Sequence, residues 1–466
     1  MNLQEILDRV PDYKEFFTVE EMDQRTLALA QEFPDVVKVD QVGTSRWGRP
    51  IYCLTIGSGS RNALIFGCPH PNEPIGAMML DFFTRELAEN AALREELDFT
   101  WYIVKTSDPD GTSLNEGWFK GPFTITHYAR NFYRPAYAQQ VEWSFPIDYK
   151  TLHFDKPIPE TQALMKIIQE HRPDFIYSLH NAGFGGCYWY LTGGDEGLYQ
   201  QLYRQPKEEG VPLNLGEPEM PYCVELYPAV FESVGVIPHY EYLAKFQPDE
   251  DPAKLITSGS SSDEYATRLL KKPVYSLVNE MPYFFDPRVD DTSPGQRSRL
   301  DCMLESFDQS EAIGKLMKEL YEKLQPVITT WNPFFLAVED RVKSYFNKDA
   351  SREWAKSNPE FRKTATVAQE FDNLYSARFY LNLNMALARR TCIYEKEHAE
   401  NLTAEARRIL DEVEAVAGQR LAQDSAYLEE HIHYTAIPIR KLVRIQAASG
   451  LIYAQYVRDM CKNTPQ

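Results

Sequence analysis

A histidine and a glutamate three residues apart, His70 and Glu73, follow the apolar run Leu64-Ile65-Phe66-Gly67 in this chain of 466 residues. An imidazole and a carboxylate delivered together make half of a zinc site, since a catalytic zinc takes three protein ligands and keeps one position open. The third ligand has to come from a distance. The run Phe175-Ile176-Tyr177-Ser178-Leu179-His180 ends in a second histidine, and Val274-Tyr275-Ser276-Leu277-Val278-Asn279-Glu280 ends in a carboxylate. If these runs are parallel neighbours in one sheet, their ends converge on one rim, where open α/β sheets carry their sites. His70, Glu73 and His180 can then hold zinc, which draws the pKa of its water down to about 7. Glu280 stands where it can take that water's proton and later pass it to a leaving amine.

Other residues of the right type carry less. His171 and Asp174 share the spacing of His70 and Glu73 but read as the polar end of a helix. Cys68 lies inside the motif and reads as a small buried residue at a strand end. His431 and His433 diverge if helical, because only residues three or four apart share a helix face.

The elements that must position the site alternate. Thr18-Val19-Glu20-Glu21 has the form of a capping box and predicts a helix to about Glu32. Val36 to Val42 and Ile51 to Ile56 read as strands of a hairpin around the Gly- and Pro-rich stretch 43–50. A strand from Ala63 to Gly67, a helix from Gly76 to Leu87 and a strand from Phe99 to Lys105 follow, then a turn at Asp108-Pro109-Asp110-Gly111. Residues 111–157 read as a long irregular excursion, which compact domains tolerate mainly where it carries function. A helix is expected over Glu160 to Glu170, while 194–251 shows no clear periodicity. After residue 325 only Gly418 and Gly450 remain of the 23 glycines, and Thr364 to Arg390 and Ala404 to Leu421 carry helical spacing. The expected architecture is α/β, a mixed, mainly parallel sheet with helices on both faces, followed by an all-α C-terminal domain. The division falls at 1–325 and 326–466, and two domains suit a chain of this length.

A net charge of −19 argues against nucleic acid or an anionic membrane as partner. No apolar run reaches transmembrane length, and the start Met1-Asn2-Leu3-Gln4-Glu5 lacks the form of a signal peptide. Seven cysteines without paired spacing predict reduced thiols and a cytoplasmic setting.

Several ordered motifs together resemble the zinc carboxypeptidases of the M14 type over roughly residues 13–325. They are Tyr13 through Thr18-Val19-Glu20-Glu21, Gly43-Thr44-Ser45 with Gly48-Arg49-Pro50-Ile51, Gly67 to Gly76, Asp108-Pro109-Asp110-Gly111 and Arg130-Asn131-Phe132. Pro159-Glu160-Thr161, Ser178-Leu179-His180, Ser258 to Asp263 and Asn279-Glu280-Met281-Pro282 continue the series. The resemblance implies one zinc ion per chain on His70, Glu73 and His180, with Glu280 as general base and acid. It also implies Arg130 as the cation on a substrate's terminal carboxylate, with Asn131, Arg134 and Asp263 completing the substrate-binding set. The chain departs from the family at Ala129, where an Asn is usual, and at Leu255, near the place of a mobile Tyr. No clear counterpart of the family's oxyanion arginine stands around Trp118-Phe119-Lys120, and Lys120 is the candidate for that role.

The expected function is therefore a zinc-dependent hydrolase cleaving an amide bond near the C-terminus of a peptide or amino-acid conjugate. The alternatives are an N-acyl amino acid deacylase on the same site and a non-catalytic scaffold that binds a partner through its helices.

Overall fold

The computed structural model describes residues 2–463. Nine strands form the main sheet: β1 (Val37–Thr44), β2 (Pro50–Ile56), β3 (Arg61–Phe66), β4 (Phe99–Val104), β5 (Phe175–His180), β6 (Tyr188–Leu191), β7 (Glu225–Tyr227), β8 (Val230–Glu232) and β9 (Tyr275–Glu280). Their order across the sheet is β1-β2-β4-β3-β5-β9-β6-β8-β7. The four central strands β4, β3, β5 and β9 are mutually parallel, and antiparallel pairs flank them at β2/β4 and β9/β6. The sheet is thus mixed: its four central strands are parallel, β8 also runs parallel to β6 near the far edge, and the expected hairpin of β1 and β2 is present.

Alternation along the strands sorts their side chains onto two faces. Leu64 and Phe66 of β3 pack with Ile176 of β5 against Leu164 and Ile168 of the helix Pro159–His171. Ala63, Ile65, Phe175, Tyr177 and Leu179 face the opposite way, into the larger core. The helix Ile75–Glu89 lies on that second face and is buried almost throughout. Two glycines permit its close approach: a Cβ on Gly67 would stand 2.8 Å from the Ala77 nitrogen of the helix, and one on Gly76 2.6 Å from Leu179 Cβ. The helix Val19–Glu32 starts on the capping box expected at Thr18 and Glu21.

The stretch 194–251, which shows no periodicity in sequence, contains the helices Glu196–Glu209 and Val236–Phe246 and the short strands β7 and β8. Pro206 inside the first of these helices masks its helical signal. The helix expected from Thr364 begins instead as a short strand, Thr364–Thr366, becomes α-helix at Val367–Phe371, and continues through a π-helical turn over Asp372–Ser376 into Ala377–His398.

The C-terminal helices Ala377–His398, Ala404–His431 and Ile439–Asn463 are long, as their composition requires. Their packing crosses the division at 325/326. The last helix lies on the sheet itself: Tyr177 donates to the Gln446 carbonyl at 3.0 Å, and Trp189 Nε1 donates to Ser449 Oγ at 3.0 Å. One hydrophobic core runs from Ile6 to Val457. Among the described residues no helix is long and apolar enough to cross a membrane.

Candidate metal centre

The corner after β3 is built to turn sharply. Cys68 takes a left-handed backbone conformation with φ of 52°, which is costly for a residue with a side chain and recurs at functional sites. Pro69 to Asn72 then form a tight turn in which the Glu73 amide donates to the His70 carbonyl at 3.0 Å. This folds His70 and Glu73 over the end of β3, next to the end of β5. His70, Glu73 and His180 are all buried, and one potential ligand atom from each lies within 4.8 Å of the others. The two imidazole rings meet edge to face at 4.8 Å.

The residues fit a zinc ion. Two imidazoles and a carboxylate are a zinc donor set. His70 Nδ1 is buried without a hydrogen-bond partner, a costly state for a polar atom unless a ligand satisfies it. His180 Nδ1 lies 3.3 Å from Glu73 Oε2 and 3.6 Å from Glu280 Oε1. On the other side of the ring, His180 Nε2 lies 2.9 Å from Ser178 Oγ, an arrangement that fixes a ligand's tautomer when Nε2 carries the proton.

Neighbouring groups hold the carboxylates. Glu73 Oε1 accepts from Arg134 at 2.9 Å and Oε2 from the Asn181 amide at 3.1 Å. Glu142, buried beside Ser178, accepts from the Ser262 amide at 2.8 Å and from its hydroxyl at 3.0 Å. Burial pushes Glu142 above the usual carboxylate range. Burial, reinforced by the carboxylates of Glu73 and Glu219, pushes Glu280 well above that range. Burial also drives His70 well below the ordinary imidazole value, helped by the positive charges of Arg134 and Arg341.

These groups open into a cavity of about 710 Å³. The sheet side supplies the metal-ligand cluster, Glu280, Arg134 and Asp263, while Arg341, Lys348, Tyr380 and Asn384 enter from the helical C-terminal part. Residues that composition left without a purpose thus form a wall of the site.

Several predicted site residues lie elsewhere. Arg130 is exposed and does not line the cavity. In the helix Ile125–Asn131 the buried residue Tyr128 faces the cavity, and a residue two positions on is turned about 200° around the axis. Arg134, in the extended chain beyond that helix, is the arginine that reaches Glu73. Asn131 stays local, its Nδ2 donating to the His127 carbonyl at 3.0 Å. Lys120 is also exposed, paired with Glu21 at 2.8 Å and Glu15 at 3.3 Å. The preceding Trp118 and Phe119 are buried in an aromatic cluster with Phe16, which turns Lys120 outward. Asp263 does line the cavity and accepts from Ser261 Oγ at 2.6 Å.

Sequence reasoning overlooked Ser178, Glu142, Glu219, Arg341 and Lys348. Ser178 was within reach, because residues two apart on a strand share a face and His180 was already a candidate. Glu142 lies in the irregular excursion, and no spacing relates it to the strands.

Residues 22–192 match the family Zinc carboxypeptidase (Peptidase_M14), a segment that contains His70, Glu73 and His180. Carboxypeptidase B of Astacus astacus is 27% identical over 105 residues, 22% of this chain. The match spans 35% of that relative's length, about a third. Carboxypeptidase A from Helicoverpa armigera aligns in structure with a TM-score of 0.39 at 16% identity, covering 60% of this chain and 70% of that one. A murein-tripeptide amidase from Escherichia coli O157 aligns with a TM-score of 0.27 at 18% identity, covering 52% and 82%.

Proposed function

We propose that this chain is a zinc-dependent hydrolase that cleaves an amide bond near the C-terminus of a peptide or amino-acid conjugate, with one zinc per chain. The observation that carries the reading is the convergence of His70, Glu73 and His180 with Glu280 in register beside them, His70 Nδ1 being buried without a partner. His70, Glu73 and His180 would hold the ion. When bound it supplies Lewis acidity, polarising a carbonyl and making water acidic enough to attack at neutral pH.

The chain's own groups do the rest. Glu280, made a stronger base by burial and by the neighbouring carboxylates of Glu73 and Glu219, accepts the proton of the attacking water and returns it to the departing amine. Arg134 fixes the Glu73 carboxylate and carries positive charge into the site, where developing negative charge on the carbonyl oxygen is stabilised. The cavity walls exclude bulk water and so strengthen both effects. Ser178 and Glu142 orient His180.

The enclosing helical wall favours a compact substrate. Hydrolysis of an N-acyl amino acid on the same site is therefore the second reading, since a cavity of about 710 Å³ suits a small conjugate. The seven cysteines stand as free thiols, which supports a reducing, cytoplasmic setting.

Metal analysis tests the reading first. The purified chain should carry one zinc, lose it on chelation with a drop in melting temperature, and regain both on readdition. Zinc at 100 times its dissociation constant should add about 2.7 kcal/mol of stability. His70→Ala should abolish binding. A chain that takes up no zinc and is not stabilised by it would leave only the scaffold reading.

A further inference from the structure

His180, Glu280 and Tyr188 stand in a row across the end of the sheet. In the parallel pair of β5 and β9, His180 is opposite Glu280, and in the antiparallel pair of β9 and β6, Glu280 is opposite Tyr188. Residues directly opposite share a face of the sheet, so Tyr188 stands beside the base on the side away from His180. Tyr190, opposite Val278, follows on the same face because residues two apart on a strand point the same way. All of these side chains line the cavity.

Both tyrosine hydroxyls meet on one carboxylate. Tyr190 Oη donates to Glu219 Oε2 at 3.0 Å, and Tyr188 Oη donates to the same oxygen at 3.3 Å. Among the described residues Glu219 forms no ion pair, and its Oε1 accepts no hydrogen bond. Arg134 is turned instead onto Glu73 and Gln140, at 2.9 and 3.1 Å, and Arg299 onto Glu217. The loop that carries Glu219 is anchored on either side of it. Before it, the Glu217 amide donates to Asp372 Oδ2 at 2.9 Å, and after it Tyr222 stacks on His239 with centroids 5.2 Å apart. Pro218 and Pro221 stiffen the span between these anchors. Beneath Glu219 the rings of Tyr188, Tyr190 and Phe231 form a cluster with centroids 5.6 to 6.3 Å apart.

A carboxylate gripped by two hydroxyls, with one oxygen unoccupied and aromatic rings beside it, is suited to a cation, which both the charge and the ring faces attract. The row across the sheet places that cation on the substrate. His180 lies on the β5 side of Glu280, and the tyrosines that hold Glu219 lie on the β6 side. The carbonyl under attack belongs to the side of the metal ligands, and the amine that receives the proton from Glu280 departs on the other. We propose that Glu219 is a specificity-determining residue of the site and selects a leaving group with a second, positively charged nitrogen, either an amino acid with a cationic side chain or a diamine. This deepens the amide-hydrolase reading and rests on it for the words leaving group, but the cation site can be tested without turnover.

The test uses the full-length, zinc-loaded chain and calorimetric titration with L-lysine, L-norleucine, L-arginine and L-citrulline. Norleucine lacks only the side-chain ammonium of lysine, and citrulline replaces the guanidinium of arginine by a neutral group of nearly the same shape. Lysine should bind at least about tenfold tighter than norleucine, and arginine than citrulline, as expected for one charged hydrogen bond. Glu219→Gln keeps an accepting oxygen for the tyrosines and should remove both preferences, while Glu219→Asp should retain part of them. Equal binding of charged and neutral ligands by the wild type would overturn the proposal, as would preferences that survive Glu219→Gln. Cadaverine, which is lysine without its carboxylate, separates the two sources: binding as tight as lysine indicates a diamine and weaker binding a basic amino acid, and both sustain the cation site. Unchanged zinc content and melting temperature separate loss of the site from loss of folding. If Glu219→Gln does not fold, the wild-type comparison and Glu219→Asp decide. Hydrolysis of N-acyl dipeptides ending in Lys, Leu or Glu and of N-acylcadaverine is measured in parallel. Charge-selective binding without cleavage of any of them would defeat the hydrolase reading while leaving the cation site standing. Cleavage that favours Leu or Glu over both cationic substrates would overturn the proposal.

Discussion

Glu280 and His180 stand directly opposite each other at the ends of neighbouring parallel strands, with Glu280 Oε1 3.6 Å from His180 Nδ1. On the other side of the His180 strand Phe66 pairs with Ser178, so the alignment of three strands brings Glu280 and the candidate metal ligands together. Because the strands are buried, slipping that register by one residue would turn every side chain to the wrong face. The pairing is therefore enforced by packing that has no part in the chemistry.

This arrangement makes Glu280→Gln a clean test of the base. The amide keeps the shape and removes the basic oxygen, so turnover should fall by about 10²- to 10⁴-fold, as for loss of a positioned acid or base. Zinc content and melting temperature should stay close to those of the wild type. Steady-state rates measured beside metal analysis check both, and turnover within about tenfold of wild type would remove Glu280 from that role.

The sequence made the sheet-borne half of the site legible because strand ends are marked twice, by apolar runs and by the polar residue that stops them. His70, Glu73, His180 and Glu280 could all be read this way. The failures share a different cause. Arg130 and Lys120 were placed by motif alone, and a motif does not state which way a side chain leaves its helix or loop. Arg341 opens a π-helical interruption and Lys348 stands at the N-cap of the helix that follows it, where the 3.6-residue period that guides the eye is broken. The α-helical character of the C-terminal part was plain in its composition, whereas its role as a cavity wall depends on contacts across more than 200 residues, such as Tyr177 with Gln446.

The placements of Arg130 and Lys120 give a negative prediction. Both are exposed, and neither lines the cavity. Lys120→Ala and Arg130→Ala should each leave kcat/KM on any substrate within about twofold of wild type. Lys120→Ala should cost at most about 1 kcal/mol of stability, the usual limit for surface ion pairs. Arg134→Ala, by contrast, strips Glu73 of its partner and should lower zinc affinity about 10- to 100-fold, as for other groups that support a metal ligand. Parallel kinetics and metal titrations on the three variants separate motif from geometry.

His239 provides a pH-dependent signal away from the metal ligands. Burial pushes its pKa down to about 4, and the ring stacks on Tyr222 with centroids 5.2 Å apart. In the unfolded chain the imidazole titrates near 6.5, so below that pH the unfolded state binds a proton that the folded state refuses. The associated stability is present above about pH 6.5 and is lost as the pH falls toward the folded value. Between pH 7 and 5 the loss from this group should be about 2 kcal/mol, at 1.36 kcal/mol per pKa unit. Urea unfolding of wild type and His239→Gln at the two pH values measures it as the difference between their slopes. Identical slopes would mean that His239 is solvated in the folded chain.

The last helix should prove part of the site's foundation. Gln446 Nε2 donates to the His180 carbonyl at 2.9 Å, and the Gln446 carbonyl accepts from Tyr177. Both bonds are buried beneath the strand that carries the ligand. Gln446→Leu leaves the His180 carbonyl without its donor and should cost about 1–3 kcal/mol, the range for a buried polar group left unpaired. Gly450, one turn further on, lies so close to the Tyr177 ring that a Cβ would meet Cε1 at 2.7 Å. Gly450→Ala must therefore shift the Tyr177 ring, the helix or β5, and should cost a similar amount, about 1–3 kcal/mol, as overpacking usually does. The two variants differ in their effect on metal: Gln446→Leu frees the backbone at His180 itself and should weaken zinc binding, whereas Gly450→Ala pushes on β5 three residues earlier. Zinc affinity measured by competition with a chelator, set beside denaturant unfolding, shows whether this helix holds the ligand strand in place or only covers it. If both variants lose stability while zinc affinity stays at the wild-type value, the helix is a cover.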